Sequence, residues 1–395
     1  MPLQRPGQQS PHPIWAEIDL TAIAHNVRAL RGIIDDGVRL MVAVKANAYG
    51  HGAEQVARTA LHSGATDLGV ARIEEGLTLR QAGIEAPILI FGYTPADHAP
   101  QLLDNDLIPT ICSLDGAHEL AAAAQTMGRE LPVHIKIDTG MGRMGIPCGS
   151  GDGRDIEHVA EAIGQIVQLK GLLLQGLYTH FATADHADKK YAQRQFSIYT
   201  RLLERLATAG VDTGVRHVAN SGAIMEMPET HLDMVRAGIS LYGLYPSGEV
   251  DCTRIDLRPA LSLKARVVNV KPVPADTCIS YGCTYRTPAP AVIATVPAGY
   301  ADGYNRGLSN RGIMLAGGRR VPIVGRVCMD LTMIDVSEVP NVAVGDEVVL
   351  IGRQGGAVIS ADAVAETLGT INYEVVSALT GRVPRVYKEV GRYES

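Results

Sequence analysis

The sequence predicts a (β/α)8 barrel of the TIM type followed by a mainly β domain. Three observations lead there: a chain of 395 residues, eight short apolar runs separated by amphipathic stretches, and a change to a Pro- and Gly-broken, β-rich texture after about Tyr245. A chain of this length exceeds one small core and suits a barrel-sized domain plus a second one. Its composition, 46% hydrophobic and 20% charged with 42 Gly, matches an ordinary globular enzyme and carries no tract biased towards disorder or a fibre.

In chain order, residues 1–13 (MPLQRPGQQSPHP) lack the apolar core of a signal peptide and read as a flexible, uncleaved tail. The barrel is expected over residues 14–245, with strands near 40–45, 67–71, 87–91, 108–112, 133–137, 173–179, 215–219 and 232–235. Several of these are continuous apolar runs, as expected of parallel strands covered on both faces. Over residues 246–395 the segments LSLKARVVNV, AVIATVPAG, RRVPIVGRVCMDLTMIDV and GDEVVLIG are rich in β-formers. One amphipathic stretch there, 361–368, reads as a helix.

The formal net charge of −6 and the lack of a basic cluster argue against a nucleic-acid partner, which needs phosphate-neutralising cations. No apolar run reaches membrane-spanning length. The six cysteines form no CxxC or zinc-type pair and are too few for a disulfide scaffold, so a reducing cytoplasm and no bound metal are expected.

Two places carry chemistry. In VAVKANAYGHG an apolar strand runs out at Lys45, with Tyr49 in the Gly-bounded loop behind it. Barrel enzymes place their active sites at such C-terminal strand ends, and a partly desolvated lysine there loses its proton more readily and can condense with an aldehyde. Strand position alone does not separate such a lysine from a surface one. The second place follows the seventh and eighth strands, where VANSG and VRAGISLYG put Asn220, Ser221, Gly222 and Gly238 in turns. Those two loops commonly bind phosphate in barrels. Ordinary turn chemistry explains either motif by itself; their joint location beside Lys45 favours a phosphate-bearing cofactor.

The ordered series WAEIDLTAIAHN, VAVKANAYGHG, IKIDTGMGRMG, GLYTHFATAD, ANSGA, VRAGISLYG, SYGCTY, PAGYADGY, GRVCMD and INYEVVSALTGRVPR resembles the motifs of the alanine racemases, which depend on pyridoxal 5′-phosphate (PLP). The resemblance runs from Trp15 to about Val386. It implies that Lys45 holds PLP covalently and that Tyr49 contacts its phosphate, with Asn220, Ser221, Gly238, Ile239 and Tyr373 completing the phosphate and ring pocket. Arg236 matches the arginine facing the pyridine nitrogen, and His180 the histidine bonded to it. Arg143 matches the residue that steadies the cofactor's phenolic oxygen and the substrate carboxylate.

The resemblance further implies that Tyr281 is a second catalytic base and that Tyr300 stands at the substrate entrance. Cys328 and Met329 align with residues near the substrate carboxylate, and Lys136 with a position where family members carry a carbamylated lysine. A homodimer with shared sites follows, acting on a small amino acid. Leu331 and the Gly- and Asp-rich stretch 148–158 depart from the family pattern.

Racemisation needs a proton removed on one face and returned on the other, a task for two bases, Lys45 and Tyr281. A serine racemase, a PLP-dependent decarboxylase, a PLP-binding protein without catalysis and a cofactor-free Schiff-base aldolase are the competing readings. A decarboxylase calls for an acidic partner at the pyridine nitrogen, a role that Arg236 does not fill.

Overall fold

A computed structural model describes residues 12–388; the expected tail lies mostly outside the described residues. The described residues divide into two compact units, one of 23–48 and 53–258, the other of 12–22, 49–52 and 259–388.

The first unit is the barrel. Its strands are β1 (Arg39–Ala43), β2 (Asp67–Val70), β3 (Ile88–Ile90), β4 (Leu107–Ile111), β5 (Leu131–Asp138), β6 (Leu172–Tyr178), β7 (Val215–His217) and β8 (Met234–Ala237). Each pairs in parallel with the next, and β8 closes on β1 with Arg236 opposite Met41. Helices return the chain between strands: the one at Leu114–Thr126 starts where Ser113 Oγ accepts the Gly116 N–H at 3.1 Å. Such a cap satisfies a backbone donor that has no partner within the helix.

The barrel interior has an apolar layer of Met41, Leu89, Tyr178 and Met234. Polar residues also lie within the buried strands, among them His134, Lys136, His217 and Arg236. A polar group removed from water is costly unless it is hydrogen-bonded, so these side chains mark the region where the fold accepts a cost for chemistry.

The second unit is mainly β. Its largest sheet runs Arg319–Pro322, Ile313–Ala316, Glu347–Gln354, Leu261–Arg266, Ile14–Asp19 and Arg385–Lys388. Residues 14–19, placed in the barrel domain without an expected strand, form a strand that lies antiparallel to Leu261–Arg266 and parallel to Arg385–Lys388. The expected boundary near Tyr245 falls ahead of the division at Arg258/Pro259. The pairings of residues 14–19 join residues 243–251 and 369 positions apart, so they leave no local trace in the sequence pattern. The helix Ala361–Leu368 forms as expected, capped by Ser360 Oγ on the Ala363 N–H. A second small core gathers Val273, Ile279, Ala291, Ile293 and Val324.

The cysteines form no scaffold, as expected, but two of them are bonded. Cys278 and Cys283 form a disulfide, with Cα atoms 5.1 Å apart, while Cys112, Cys148, Cys252 and Cys328 are free thiols. A single short-range pair leaves no scaffold-like spacing to be read.

Candidate active site

Strand β1 ends at Ala43, two residues earlier than the pattern suggested, and Lys45 opens a turn of unusual hand. Ala46, Asn47, Ala48 and Tyr49 all have φ between 51 and 53°, so the segment is one left-handed helical turn, closed by the Ala48 N–H on Val44 O at 2.8 Å. L-residues pay roughly 1–2 kcal/mol each for this conformation. Side chains hold it in place: Glu75 accepts the Ala46 N–H at 2.6 Å and Asn47 accepts that of Ala53 at 2.9 Å. Gly50 follows at φ +84°, where any Cβ would meet Val376 O at 2.2 Å. Burial, then the Arg143 charge, lowers the Lys45 pKa, partly offset by Glu75.

Arg143 sits in a loop built on one carboxylate. Asp138 Oδ1 accepts the N–H groups of Gly140, Met141 and Gly142 at 2.8–3.1 Å, and Oδ2 that of Arg143 at 3.1 Å. The DTGMGR motif is therefore an Asx-anchored turn that fixes where the arginine starts. Lys136, on the same strand, is buried; desolvation and then the charges of Arg143 and Arg236 bring its pKa down to about 8.

Arg236 on β8 is buried and fully engaged. The two N–H groups of its Nη2 are shared among Thr179 O at 2.8 Å, Val218 O at 3.0 Å and His180 Nδ1 at 3.1 Å, and its Nη1 donates to His217 Nδ1 at 2.7 Å. His217 Nε2 in turn lies 2.9 Å from His134 Nδ1. Because guanidinium only donates, Arg236 decides the tautomers. His217 carries its proton on Nε2 and donates that N–H to His134 Nδ1, and His134 and His180 each carry theirs on Nε2. Burial pushes the His134 pKa down to about 3 and those of His180 and His217 well below the usual histidine value, so all three rings are neutral near pH 7. Arg236 itself falls only to about 10, mainly through desolvation, and stays charged. His217 stacks on Tyr178 with centroids 4.6 Å apart, and His134 lines a cavity of about 520 Å3 among residues at the strands' N-terminal ends, such as Arg39 and Asp67.

After β7, Asn220 caps the short helix Ser221–Glu226 by accepting the Ala223 N–H at 3.1 Å. Ser221 Oγ takes the Gly238 N–H at 2.9 Å and meets Ser240 Oγ at the same distance, tying this turn to the one at Ile239–Tyr242. Gly222 is needed for contact: a Cβ there would come within 2.9 Å of Ala184 O. First-turn N–H groups lack acceptors within their own helix and favour an anion. An amine with a lowered pKa, a serine- and glycine-rich anion cradle and a buried cation on adjacent strands form a donor set that fits a phosphorylated aldehyde cofactor.

The barrel unit thus brings together Lys45, Lys136, Arg143, His180, Asn220, Ser221, Arg236, Gly238 and Ile239. The β unit holds the rest. Tyr49 and Tyr373 meet there with ring centroids 6.1 Å apart. Tyr300 N–H donates to Cys328 O at 3.0 Å, Ala301 N–H to Met329 O at 3.0 Å, and Ser280 Oγ lies 3.3 Å from Cys328 Sγ, which gathers Tyr281, Tyr300, Cys328 and Met329 in one region. Three of these face solvent in the single chain: Tyr281 is 73% exposed, Met329 53% and Tyr300 43%.

Sequence reasoning missed His134 and His217. A signal existed, since His134 and Lys136 share one face of a strand whose other face is Val133, Ile135 and Ile137. Among the described residues no group of three or more His, Cys, Asp or Glu side chains could hold a metal ion, and no helix is long and apolar enough to cross a membrane.

Comparison with known proteins follows the same division. Residues 18–246 match the family described as alanine racemase, N-terminal domain, and residues 260–387 the alanine racemase C-terminal domain. The alanine racemase of Desulfosudis oleivorans is 56% identical over 376 residues, 94% of this chain and 96% of its own length. That of Desulforamulus reducens is 50% identical, covering 95% of this chain and 99% of its own. Among solved structures, alanine racemase from Clostridium difficile 630 superposes with a TM-score of 0.90 at 39% identity, over 96% of this chain and 97% of its own. The Bartonella henselae enzyme, solved with covalently bound pyridoxal phosphate, gives 0.83 at 28% identity over 96% of this chain and 100% of its own.

Proposed function

The chain belongs to the alanine racemase family, and we propose that it interconverts L- and D-alanine on PLP held by Lys45, with Lys45 and Tyr281 of the partner subunit as the two bases. Bound PLP would supply an electron sink for the charge left when the α-proton departs. The residues around it do the rest. Lys45, its pKa lowered by burial, carries the cofactor and exchanges a proton on one face of the substrate. Ser221, Asn220, Gly238, Ile239 and Tyr49 hold the phosphate, and Tyr373 lines the pocket. Arg143 takes the substrate carboxylate and the cofactor's phenolic oxygen, with Cys328 and Met329 beside it.

The observation that carries the reading is Arg236, a locked cation on the strand next to that of Lys45. An arginine facing a pyridine nitrogen donates to it and supplies no carboxylate to stabilise a protonated ring. The weaker sink that results favours a quick return of the proton over decarboxylation or amino transfer. His180, protonated on Nε2, offers an N–H to hold the Tyr281 oxygen as its proton leaves. Lys136, with a pKa near 8, has an appreciable unprotonated fraction near neutral pH. That amine adds to CO2 with loss of its proton, and the resulting carbamate would pair with Arg143.

Tyr281, Tyr300 and Tyr373 leave room for a small side chain, although one hydroxyl is weakly excluded by sterics. The test is a chiral assay of the purified holoenzyme on L-alanine, L-serine and L-lysine. We expect D-alanine as the main product, D-serine at a lower kcat/KM, and no D-lysine. A decarboxylated amine in place of D-alanine contradicts the proposal.

A further inference from the structure

The turn that carries Tyr281 is closed by the only disulfide among the described residues, and nothing in the two-base reading uses it. Cys278 and Cys283 bracket Tyr281 within six residues, CISYGC. Three of those residues have left-handed backbones: Ser280 at φ +65°, Gly282 at +74° and Cys283 at +46°. Two of the three are not glycine, and such conformations persist only where surrounding structure enforces them.

The base of the hairpin has its own anchors. Cys278 pairs with Arg286 and Ile279 with Tyr285. Ile279 belongs to the small core, and Ser280 Oγ donates to Arg326 O at 2.7 Å. The tip, Tyr281 to Cys283, is exposed in the single chain, and the cross-link is what closes it into a ring.

We propose that Cys278 and Cys283 are a reversible redox modification site that sets the position of Tyr281, the disulfide form being the more active. The inference rests on the role given above to Tyr281. The oxidant is a small-molecule disulfide, RSSR. The thiolate of the exposed Cys283 attacks one sulfur of RSSR and expels RS⁻. The Cys278 thiolate then attacks the Cys283 sulfur of that mixed disulfide and expels the second RS⁻. The two protons lost by the cysteines end on two RSH, so two thiols are oxidised and one disulfide is reduced. A dithiol runs the exchange backwards.

In a reducing compartment the disulfides that do occur are usually transient and catalytic or redox-sensing. The pair is also favoured over two other thiols. Cys148 is buried and its pKa is pushed up to about 12, and burial raises that of Cys112, so neither forms the thiolate easily. Opening the ring frees the three left-handed residues to relax, which moves the tyrosine ring and leaves the hairpin base paired.

The experiment compares PLP-loaded wild-type enzyme treated with glutathione disulfide and with dithiothreitol. The expected results are a 278–283 peptide lighter by two hydrogens after oxidation, and a kcat roughly three- to tenfold lower in the reduced form with bound PLP unchanged. A Cys278→Ser/Cys283→Ser variant should match reduced enzyme and respond to neither reagent. No intramolecular disulfide, or one that forms without changing kcat, overturns the inference. Tyr281→Phe separates it from the reading beneath: full racemisation by that variant sinks the role of Tyr281, whereas an inactive variant beside a redox-indifferent wild type sinks the switch alone.

Discussion

At the scale of single residues, Arg236 sets the protonation of the rings around it without titrating. The resemblance supplied Arg236 and His180, but His217 and His134 came only from the structure, because a histidine inside a strand pattern carries no mark of what it faces. The acceptor at His134 Nδ1 is predicted to matter more than the ring. His134→Leu leaves the buried His217 N–H without a partner and should cost about 1–3 kcal/mol in chemical denaturation, whereas His134→Asn, which keeps an acceptor near that place, should recover most of it. Equal losses would contradict the assigned tautomers. The same ring predicts a pH dependence. Between about pH 3, where folded His134 titrates, and the unfolded value near 6.5, the unfolded chain holds a proton that the folded chain does not. Stability therefore falls as pH falls through that window, by up to about 1.4 kcal/mol per pH unit from His134. The denaturation midpoint should drop as pH is lowered from 6.5 to 4.5, less steeply in His134→Asn; parallel pH profiles would contradict this.

At the scale of elements, the barrel strands were legible because strands covered on both faces write themselves as apolar runs. The turn after β1 was not. KANAY is made largely of helix-tolerant residues, and only tertiary partners such as Glu75 turn it left-handed. The Arg143 loop was legible as a Gly-rich motif, but its dependence on one carboxylate was not. Asp138→Ala removes the acceptor of four backbone N–H groups. It is expected to lower stability by about 1–3 kcal/mol and, by loosening Arg143, to raise KM for alanine more than it lowers kcat. Steady-state kinetics of the variant check this, and an unchanged KM would show that Arg143 is held by something else.

At the scale of the whole molecule, the two-part plan was legible from texture, and the assignment of the first strand was not, since its partners lie at the far end of the chain. The exposed Tyr281, Tyr300 and Met329 support a partner surface, because apolar side chains grouped on a surface mark contact sites. A two-fold dimer would make two identical composite sites, each with Lys45 from one chain and Tyr281 of the partner subunit. The central claim is tested most directly by mixing inactive Lys45→Ala chains with inactive Tyr281→Phe chains under conditions of subunit exchange. In a mixed dimer one site carries both defects and the other none. With equal amounts and random exchange half the dimers are mixed, so activity per chain should recover to roughly a quarter of wild type. No recovery, with mixed dimers demonstrated by a mass-tagged chain, would show that each site is built within one chain and contradict the shared two-base site.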